Sequence, residues 1–115
     1  MKHRAVRVGE VIQRELSDLL QKKIKDPRLT SVMVTGVDMT GDLSLARVYI
    51  RSLGDSVNQK EVMKGLESAK GYLRRELAPR LDLKKAPEIL FFYDTTLDYA
   101  LHIEKLLKSL DTPKS

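Results

Sequence analysis

Few residues of this 115-residue chain could carry out catalysis. The chain has no cysteine, which excludes disulfide bonds, a thiol nucleophile and cysteine-ligated zinc. Its two histidines are His3, near the terminus, and His102, beside an apolar helical stripe, where a surface or packing role is favoured. Asp94 and Asp98 could form a carboxylate pair, but both lie at a predicted helix start, where acids cap amides and offset the helix dipole. Sequence motifs for metal, nucleotide or acyl chemistry are absent. We therefore predict no enzymatic activity, no metal and no cofactor.

The lysines and arginines have a clearer chemical role, because their charges neutralise phosphates. There are 21 of them against 16 acidic residues, a net charge of +5. Residues 1–28 and residues 60–85 each hold eight basic and four acidic side chains, and these two segments carry all of the positive excess. The excess favours a polyanionic partner, either nucleic acid or an anionic membrane surface. Any single lysine or arginine could instead simply solvate a helix face. Two segments with the same positive excess favour one shared basic surface.

Two amphipathic helices are predicted to carry these charges. The first runs from about Val6 to Lys25 and ends at Asp26-Pro27, because a proline disfavours helical geometry in the residue before it. The second runs from about Asn58 to Leu81, with Ser56 and Gln59 as a capping box. The predicted buried stripes are Val8, Ile12, Leu16, Leu19 and Leu20 in the first helix, and Val62, Leu66, Ala69, Leu73 and Leu77 in the second.

Three strands are predicted around these helices. Ser31–Met39 and Leu43–Ser52 flank a hairpin turn at Thr40-Gly41-Asp42, with Gly36 as a bulge, and Glu88–Tyr93 follows Pro87. The side chains of the second strand alternate between two faces, and one face is predicted to lie in the core. The other face carries Leu45, Arg47, Tyr49 and Arg51. It could be a cationic surface with an aromatic side chain, or an ordinary solvated face. A last helix is predicted over about Thr96–Leu110. The sequence thus predicts an α+β domain with a three-stranded sheet and helices on one face.

Gly71 lies in the middle of the second helical pattern, on its basic side. Because glycine there costs about 1 kcal/mol relative to alanine, we predict a kink at Ala69-Lys70-Gly71 that divides the stretch into two helices. A break would free backbone N–H groups at the start of the following helix, where anions bind, and Lys70, Arg74 and Arg75 would surround that point. Our hypothesis is that the kink helps to seat an RNA phosphate. The alternative is that the glycine only lets two helices bend over the sheet.

The candidate RNA-binding residues are those that combine charge with a predicted exposed helix face, together with the kink. They are Arg7, Arg14, Lys25, Lys60, Lys64, Lys70, Gly71, Arg74 and Arg75. No stretch approaches the roughly 20 apolar residues of a membrane span, and no apolar run of signal-peptide length follows the first residues. We therefore predict a cytoplasmic protein with no membrane partner and no small-molecule substrate.

Several short motifs follow one another along the chain. They are R-x-x-R-V-G-E-x-I-Q-R-E-L-S-D-L-L (Arg4–Leu20), K-D-P-R-L (Lys25–Leu29), V-T-G-V-D-M-T-x-D-L-S-L-A-R-V-Y-I (Val34–Ile50), Ala69-Lys70-Gly71, P-E-I-L-F-F-Y-D (Pro87–Asp94) and I-x-x-L-L (Ile103–Leu107). In this order and spacing the sequence resembles the bacterial ribosome-binding factor A family over nearly its whole length.

The chain length and the C-terminal position predict a single domain over residues 1–111 with a frayed C-terminus at 112–115. The resemblance implies a type II KH-like fold in which Ala69-Lys70-Gly71 replaces the usual GxxG loop. It implies binding to the free small (30S) ribosomal subunit during late assembly, near the 5′-end helix of its rRNA. We also predict that the chain is a monomer. The resemblance also implies support of rRNA processing and of growth in the cold, without catalysis or a cofactor. Because GxxG is absent, contacts to shape and phosphates are expected instead of the reading of four single-stranded bases.

Three other interpretations stay open. The chain could be another KH-type binder of the small subunit, although the missing GxxG argues against it. It could be a protein-interaction adaptor whose basic faces only solvate, which salt-sensitive RNA binding would exclude. The third interpretation is a small metal-dependent nuclease, against which the sequence shows no cluster of metal-ligating residues.

Overall fold

The computed structural model describes residues 2–52 and 58–94, together with residues 104, 105 and 107. Helix α1 (Lys2–Lys22) is followed by a short 3-10 turn, strands β1 and β2, helix α2 and strand β3. The later elements span Pro27–Leu29 for the turn, Val32–Met39 for β1, Leu45–Ser52 for β2, Gln59–Leu81 for α2 and Glu88–Tyr93 for β3. The predicted α+β class is confirmed. The predicted last helix and the predicted frayed terminus lie outside the described residues, except that Glu104, Lys105 and Leu107 are helical.

The three strands form one sheet in the order β1-β2-β3. Strands β1 and β2 pair antiparallel, whereas β2 and β3 pair parallel. A parallel pair needs a long crossover connection, and α2 supplies it. The register of β1 shifts between Val34, which pairs with Ile50, and Gly36, which pairs with Tyr49. This irregularity lies where the sequence predicts a bulge.

The two helices cover one face of the sheet, as predicted. Helix α1 packs on β1, and α2 packs beside α1 and on β3. The buried side chains alternate along each strand, so that Val48, Ile50 and Ile89 enter the core and their neighbours do not. The helices contribute fully buried leucines and isoleucine to the same core: Ile12, Leu16, Leu19, Leu66, Leu73 and Leu77. The other face of the sheet carries exposed side chains and has neither of these two helices on it.

Helix α2 continues without interruption through Ala69-Lys70-Gly71, so the predicted division into two helices is wrong. Leu66, Leu73 and Leu77 lie on both sides of Gly71 and are completely buried along one stripe. Burial of each such side chain contributes about 1.5–3 kcal/mol, which exceeds the roughly 1 kcal/mol that glycine costs in a helix. Packing therefore keeps the helix continuous across the glycine.

The N-terminus of α2 is capped by Asn58. Its side-chain oxygen accepts hydrogen bonds from the backbone N–H groups of Lys60 (2.9 Å) and Glu61 (3.3 Å). The predicted capping box at Ser56 and Gln59 is therefore wrong, because the N-cap residue is Asn58, two residues after Ser56. Helix α2 ends at Leu81, and Asp82 follows in the left-handed conformation (φ 53°). Among the described residues, no helix combines the length and the apolar character that a membrane span requires.

Candidate nucleic-acid interface

The loop after α1 packs closely on α2 because Gly65 has no side chain. A Cβ atom at Gly65 would lie 3.0 Å from Leu29 Cδ2 and 3.3 Å from both Arg28 Nε and Asp26 Oδ2. Gly65 is itself buried. Gly65 is not among the candidate residues predicted from the sequence. A signal was available, because the small residues Gly65, Ser68 and Ala69 recur at three- and four-residue spacing on one helix face.

Asp26 fixes the conformation of this loop. Its carboxylate accepts hydrogen bonds from the backbone N–H of Arg28 (2.9 Å) and from the guanidinium Nε (3.0 Å) and Nη2 (2.6 Å). These hydrogen bonds from Arg28 hold the pKa of Asp26 below its ordinary value, and Asp26 in turn raises the pKa of Arg28. The Arg28 guanidinium also lies 4.0 Å from Glu61. The loop thus presents Arg28 in one orientation, with its charge partly offset.

Replacing Asp26 by asparagine should reduce the dependence of stability on acid pH. Since the folded protein binds the Asp26 proton more weakly than the unfolded chain does, this group stabilises the fold above its ordinary pKa. The stabilisation is lost as the pH falls through the lowered pKa of the folded state. Asp26→Asn keeps an oxygen for the backbone cap but removes the charge. Urea unfolding across the acid range should therefore show a shallower loss for Asp26→Asn than for the wild type.

Glu10→Gln is the matched control, because it removes one carboxylate from the exposed side of α1 without touching the loop. We expect its acid profile to follow the wild type. If Asp26→Asn and Glu10→Gln gave the same profile as the wild type, the Asp26–Arg28 contact would contribute nothing to the acid stability.

Two adjoining depressions run between this loop and the exposed side of α2. One has a volume of about 700 Å³ and is lined in part by Arg28, Lys60, Met63 and Lys64. The other, of about 420 Å³, is lined in part by Lys23, Lys25 and Tyr72, and Ser68 belongs to both. We call this surface the basic groove and define it by its five cations: Lys23, Lys25, Arg28, Lys60 and Lys64. Asp26 and Glu67 are the acidic residues that line it.

The acidic neighbours offset part of the positive charge of the basic groove, chiefly at Arg28, which pairs with Asp26. Lys64 lies 3.5 Å from Glu61, but its side chain is 70% exposed, and exposed ion pairs of this kind contribute about 0–1 kcal/mol. Within the described residues, Lys23, Lys25 and Lys60 form no ion pair. The groove therefore keeps a net positive charge after its own carboxylates are counted, and this charge attracts phosphates.

The structure brings only part of the predicted set together. Lys25, Lys60 and Lys64 line the basic groove. Gly71 and Arg75 lie further along the same exposed side of α2, where a Cβ at Gly71 would meet only the Arg75 guanidinium, at 3.6 Å. Arg7 and Arg14 are exposed on α1 and do not line the groove. Sequence reasoning also missed Lys23 and Arg28 as groove residues, because the loop position depends on its packing against Gly65.

Lys70 and Arg74 turn towards β3. The Lys70 ammonium lies 2.8 Å from Glu67 and 5.9 Å from the centre of the Phe91 ring. Arg74 donates hydrogen bonds to the carbonyls of Ala86 (3.1 Å) and Pro87 (3.0 Å) just before β3. Arg74 thus holds the connection between α2 and β3 in place.

The phosphate seat hypothesised at Gly71 needed backbone N–H groups freed by a helix break. In a continuous α2 those groups bond to carbonyls one turn earlier, so this part of the hypothesis is wrong. Contact of Lys70 and Arg74 with RNA stays a prediction.

Of the side chains considered for catalysis, only Asp94 is described. It is buried, its carboxylate accepts a hydrogen bond from the Thr35 hydroxyl (2.8 Å), and its backbone N–H donates to the Ile50 carbonyl (2.8 Å). These bonds tie the end of β3 across β2 to the bulge in β1. Asp98 and His102 lie outside the described residues, as does the side chain of His3. In the part of the chain that the structure describes, no group of three histidine, cysteine or acidic residues could hold a metal ion.

Fold and surface together define a small α+β domain with two helices on one face of a mixed sheet and a basic groove beside the second helix. The family model of ribosome-binding factor A matches residues 4–107, and the chain belongs to this family.

Solved structures share the fold. The crystal structure of ribosome-binding factor A from Thermus thermophilus superposes with a TM-score of 0.69 at 24% identity, covering 77% of this chain and 93% of that one. A homology model of the Thermus thermophilus factor, fitted into a cryo-EM map of its complex with the 30S subunit, gives 0.64 at 24% identity, covering 76% and 92%. The NMR structure of a Thermotoga maritima protein described as a ribosome-binding factor A gives 0.60 at 32% identity, covering 80% and 84%.

Proposed function

We propose that this protein binds the free small (30S) ribosomal subunit through its rRNA and supports late maturation of the subunit without catalysing a reaction. Membership of the ribosome-binding factor A family supports this proposal. The Thermus factor that shares the fold was fitted into a map of a 30S complex, which supports the same partner.

The basic groove is the observation that carries the proposal. It gathers Lys23, Lys25, Arg28, Lys60 and Lys64 from two separate stretches of sequence onto one surface. If all five neutralised phosphates of an RNA duplex, the logarithm of the binding constant would fall with the logarithm of salt concentration at a slope of roughly −4 to −5. Such binding is directed at the backbone and at RNA shape, which suits docking on a folded rRNA.

The finer parts of the proposal follow from the family. The binding site lies near the 5′-end helix of the small-subunit rRNA, and the factor supports rRNA processing and growth in the cold. The chain works as a cytoplasmic monomer, with one KH-like domain over residues 1–111. Lys70 and Arg74 contact RNA only when their present contacts are broken: those of Lys70 with Glu67, and those of Arg74 with the carbonyls of Ala86 and Pro87.

Sedimentation of a cell extract through a sucrose gradient tests the proposal. The protein should comigrate with free small subunits and be absent from translating ribosomes, because an assembly factor leaves before translation begins. Raising the salt concentration should release it from the subunit. Recovery of the protein at the top of the gradient at low salt, or in the polysome fractions, would contradict the proposed function.

A further inference from the structure

The larger depression of the basic groove has an apolar surface as well as cations. Along α2 it is lined by two rows of side chains that are spaced four residues apart and therefore lie on one face of the helix. One row is Gln59, Met63 and Glu67, and the other is Lys60, Lys64 and Ser68. Met63, at the middle of its row, is half-buried and packs against the core. The aliphatic stems of lysines extend such an apolar surface. A partner that fills the depression therefore has to offer an apolar surface in addition to anions.

Uncharged polar side chains lie beside Met63 in the same depression. The Gln59 amide and the Ser68 hydroxyl are exposed and form no hydrogen bond with the described residues. An amide and a hydroxyl can each both donate and accept a hydrogen bond. Glu67 pairs with Lys70 at 2.8 Å, but its side chain is more than half exposed and adds a further acceptor. Donors and acceptors beside an apolar surface match the edge and the flat face of a nucleobase.

The second row places positive charge next to this surface. Lys60 forms no ion pair with the described residues, and the one ion pair of Lys64, with Glu61, is 3.5 Å long and exposed. In RNA every base is followed and preceded by a phosphate, so a base that lies against Met63 brings phosphates to the neighbouring lysines. The groove thus combines what the two parts of a nucleotide require on adjacent rows of one helix face.

The shape and the acidic residues of the groove decide between possible occupants. The depression is open to solvent along one side, whereas a free small molecule is usually bound with most of its surface enclosed. An acidic peptide would bring carboxylates, which accept hydrogen bonds but cannot donate them, towards Glu67 and Asp26. A regular duplex offers its phosphates, but its bases are covered by their neighbours. A nucleotide that is unpaired but still part of an RNA strand meets all of these conditions.

We propose that the basic groove receives one unpaired nucleotide of the rRNA, with its base against Met63. The edge of the base faces Gln59 and Ser68, and the adjoining phosphates lie at the lysines of the second row. This inference rests on the proposed function and deepens it, because it names the feature of folded RNA that the groove distinguishes from a plain duplex. Bulges and loops are the parts of RNA whose bases are free for such contacts.

Three RNA hairpins that share one stem test the inference. The stem of the first is fully paired, the second carries a single unpaired adenosine, and the third carries an abasic nucleotide at the same place. The abasic bulge keeps the added phosphate and lacks only the base. In fluorescence anisotropy with labelled hairpins at one salt concentration, the wild type should bind the adenosine bulge at least about five-fold more tightly than the abasic bulge. This factor is the lower end of what one base contact contributes.

Two variants of the groove and one control assign the preference to these side chains. Met63→Gln replaces the thioether by an amide of similar length and should lose the preference, while it binds the abasic and paired hairpins as the wild type does. Gln59→Ala/Ser68→Ala changes two exposed positions outside the core and should also bring the ratio of the two affinities closer to one. Gln21→Ala removes an exposed amide of α1 that does not line the groove, and it should keep the full preference.

The outcomes separate this inference from the proposed function. Equal binding of the adenosine and abasic bulges by the wild type would overturn the inference, while salt-sensitive binding of all three hairpins would leave the proposed function standing. A preference that survives in both groove variants would place the base on another surface and would also overturn it. If the wild type binds no hairpin but Met63→Gln no longer comigrates with small subunits, the groove docks a protein segment, and the inference is wrong. Loss of the preference in the groove variants alone supports base recognition by the groove, even if the protein fails to comigrate with small subunits.

Discussion

Reversing the charges of Lys60 and Lys64 should weaken binding to the small subunit about a hundred-fold. Both side chains line the basic groove from the first turns of α2. Each substitution by glutamate replaces attraction to a phosphate with repulsion, and we assign about 1.4 kcal/mol, a factor of ten, to each. The slope of log binding constant against log salt should become shallower by about two, because two phosphate contacts are lost. Filter binding to purified small subunits at several salt concentrations measures both quantities.

Lys84→Glu/Lys85→Glu is the matched control for this double variant. It makes the same change in net charge, but its two positions line a separate cleft near the turn between β1 and β2. We expect it to bind within a few-fold of the wild type. Equal losses in the two double variants would mean that the subunit senses only the net charge of the protein, and the assignment of the basic groove would be abandoned.

Gly65→Val should lower the free energy of unfolding by about 2 kcal/mol. The first added carbon already falls 3.0 Å from Leu29 Cδ2, and Leu29 is itself fully buried and cannot move aside. The further methyl groups of valine would push the Asp26–Arg28 loop away from α2, and overpacking of this kind costs about 1–3 kcal/mol. Urea unfolding should show a lower midpoint with little change in slope.

Gly71→Ala is the control within the same helix and should act in the opposite direction. The space beside Gly71 is open apart from the Arg75 guanidinium, and alanine is favoured over glycine in a helix by about 1 kcal/mol. The variant should therefore be more stable than the wild type. Its RNA affinity also bears on the sequence hypothesis for Gly71, since unchanged affinity would remove Gly71 from the RNA-binding set. A Gly65→Val protein as stable as the wild type would show that the loop can retreat from α2 without loss.

The sequence predicts the elements well where a local pattern is complete. Strand β3 matches its predicted bounds, because six alternating residues follow a proline. Helix α1 differs from its prediction at both ends: it begins at Lys2 and closes at Lys22, where the N–H of Ile24 bonds to the Leu19 carbonyl (3.2 Å) and widens the last turn. The break predicted at Gly71 fails because a propensity of about 1 kcal/mol is weaker than the burial of leucines on both sides.

The candidate surfaces were less predictable, because they depend on contacts between distant parts of the chain. A helical wheel places Lys70 and Arg74 on the basic side, but it cannot show that the carbonyls of Ala86 and Pro87 come within reach of Arg74. Likewise, the alternation of β2 indicated an outer face with Tyr49, whereas its stacking on Phe92 required the parallel register of β3. Residue type and period predict which way a side chain faces, and tertiary register decides what it meets.

The parallel pairing of β3 beside β2 has a consequence for biosynthesis. While the chain emerges from the ribosome, α1, β1 and β2 are complete well before β3 exists, so one side of β2 offers unpaired backbone groups to the surroundings. An unpaired strand edge is a template for association with other extended chains. The nascent protein therefore depends on the timely arrival of β3, and slow translation between residues 52 and 88 would lengthen its exposure to aggregation.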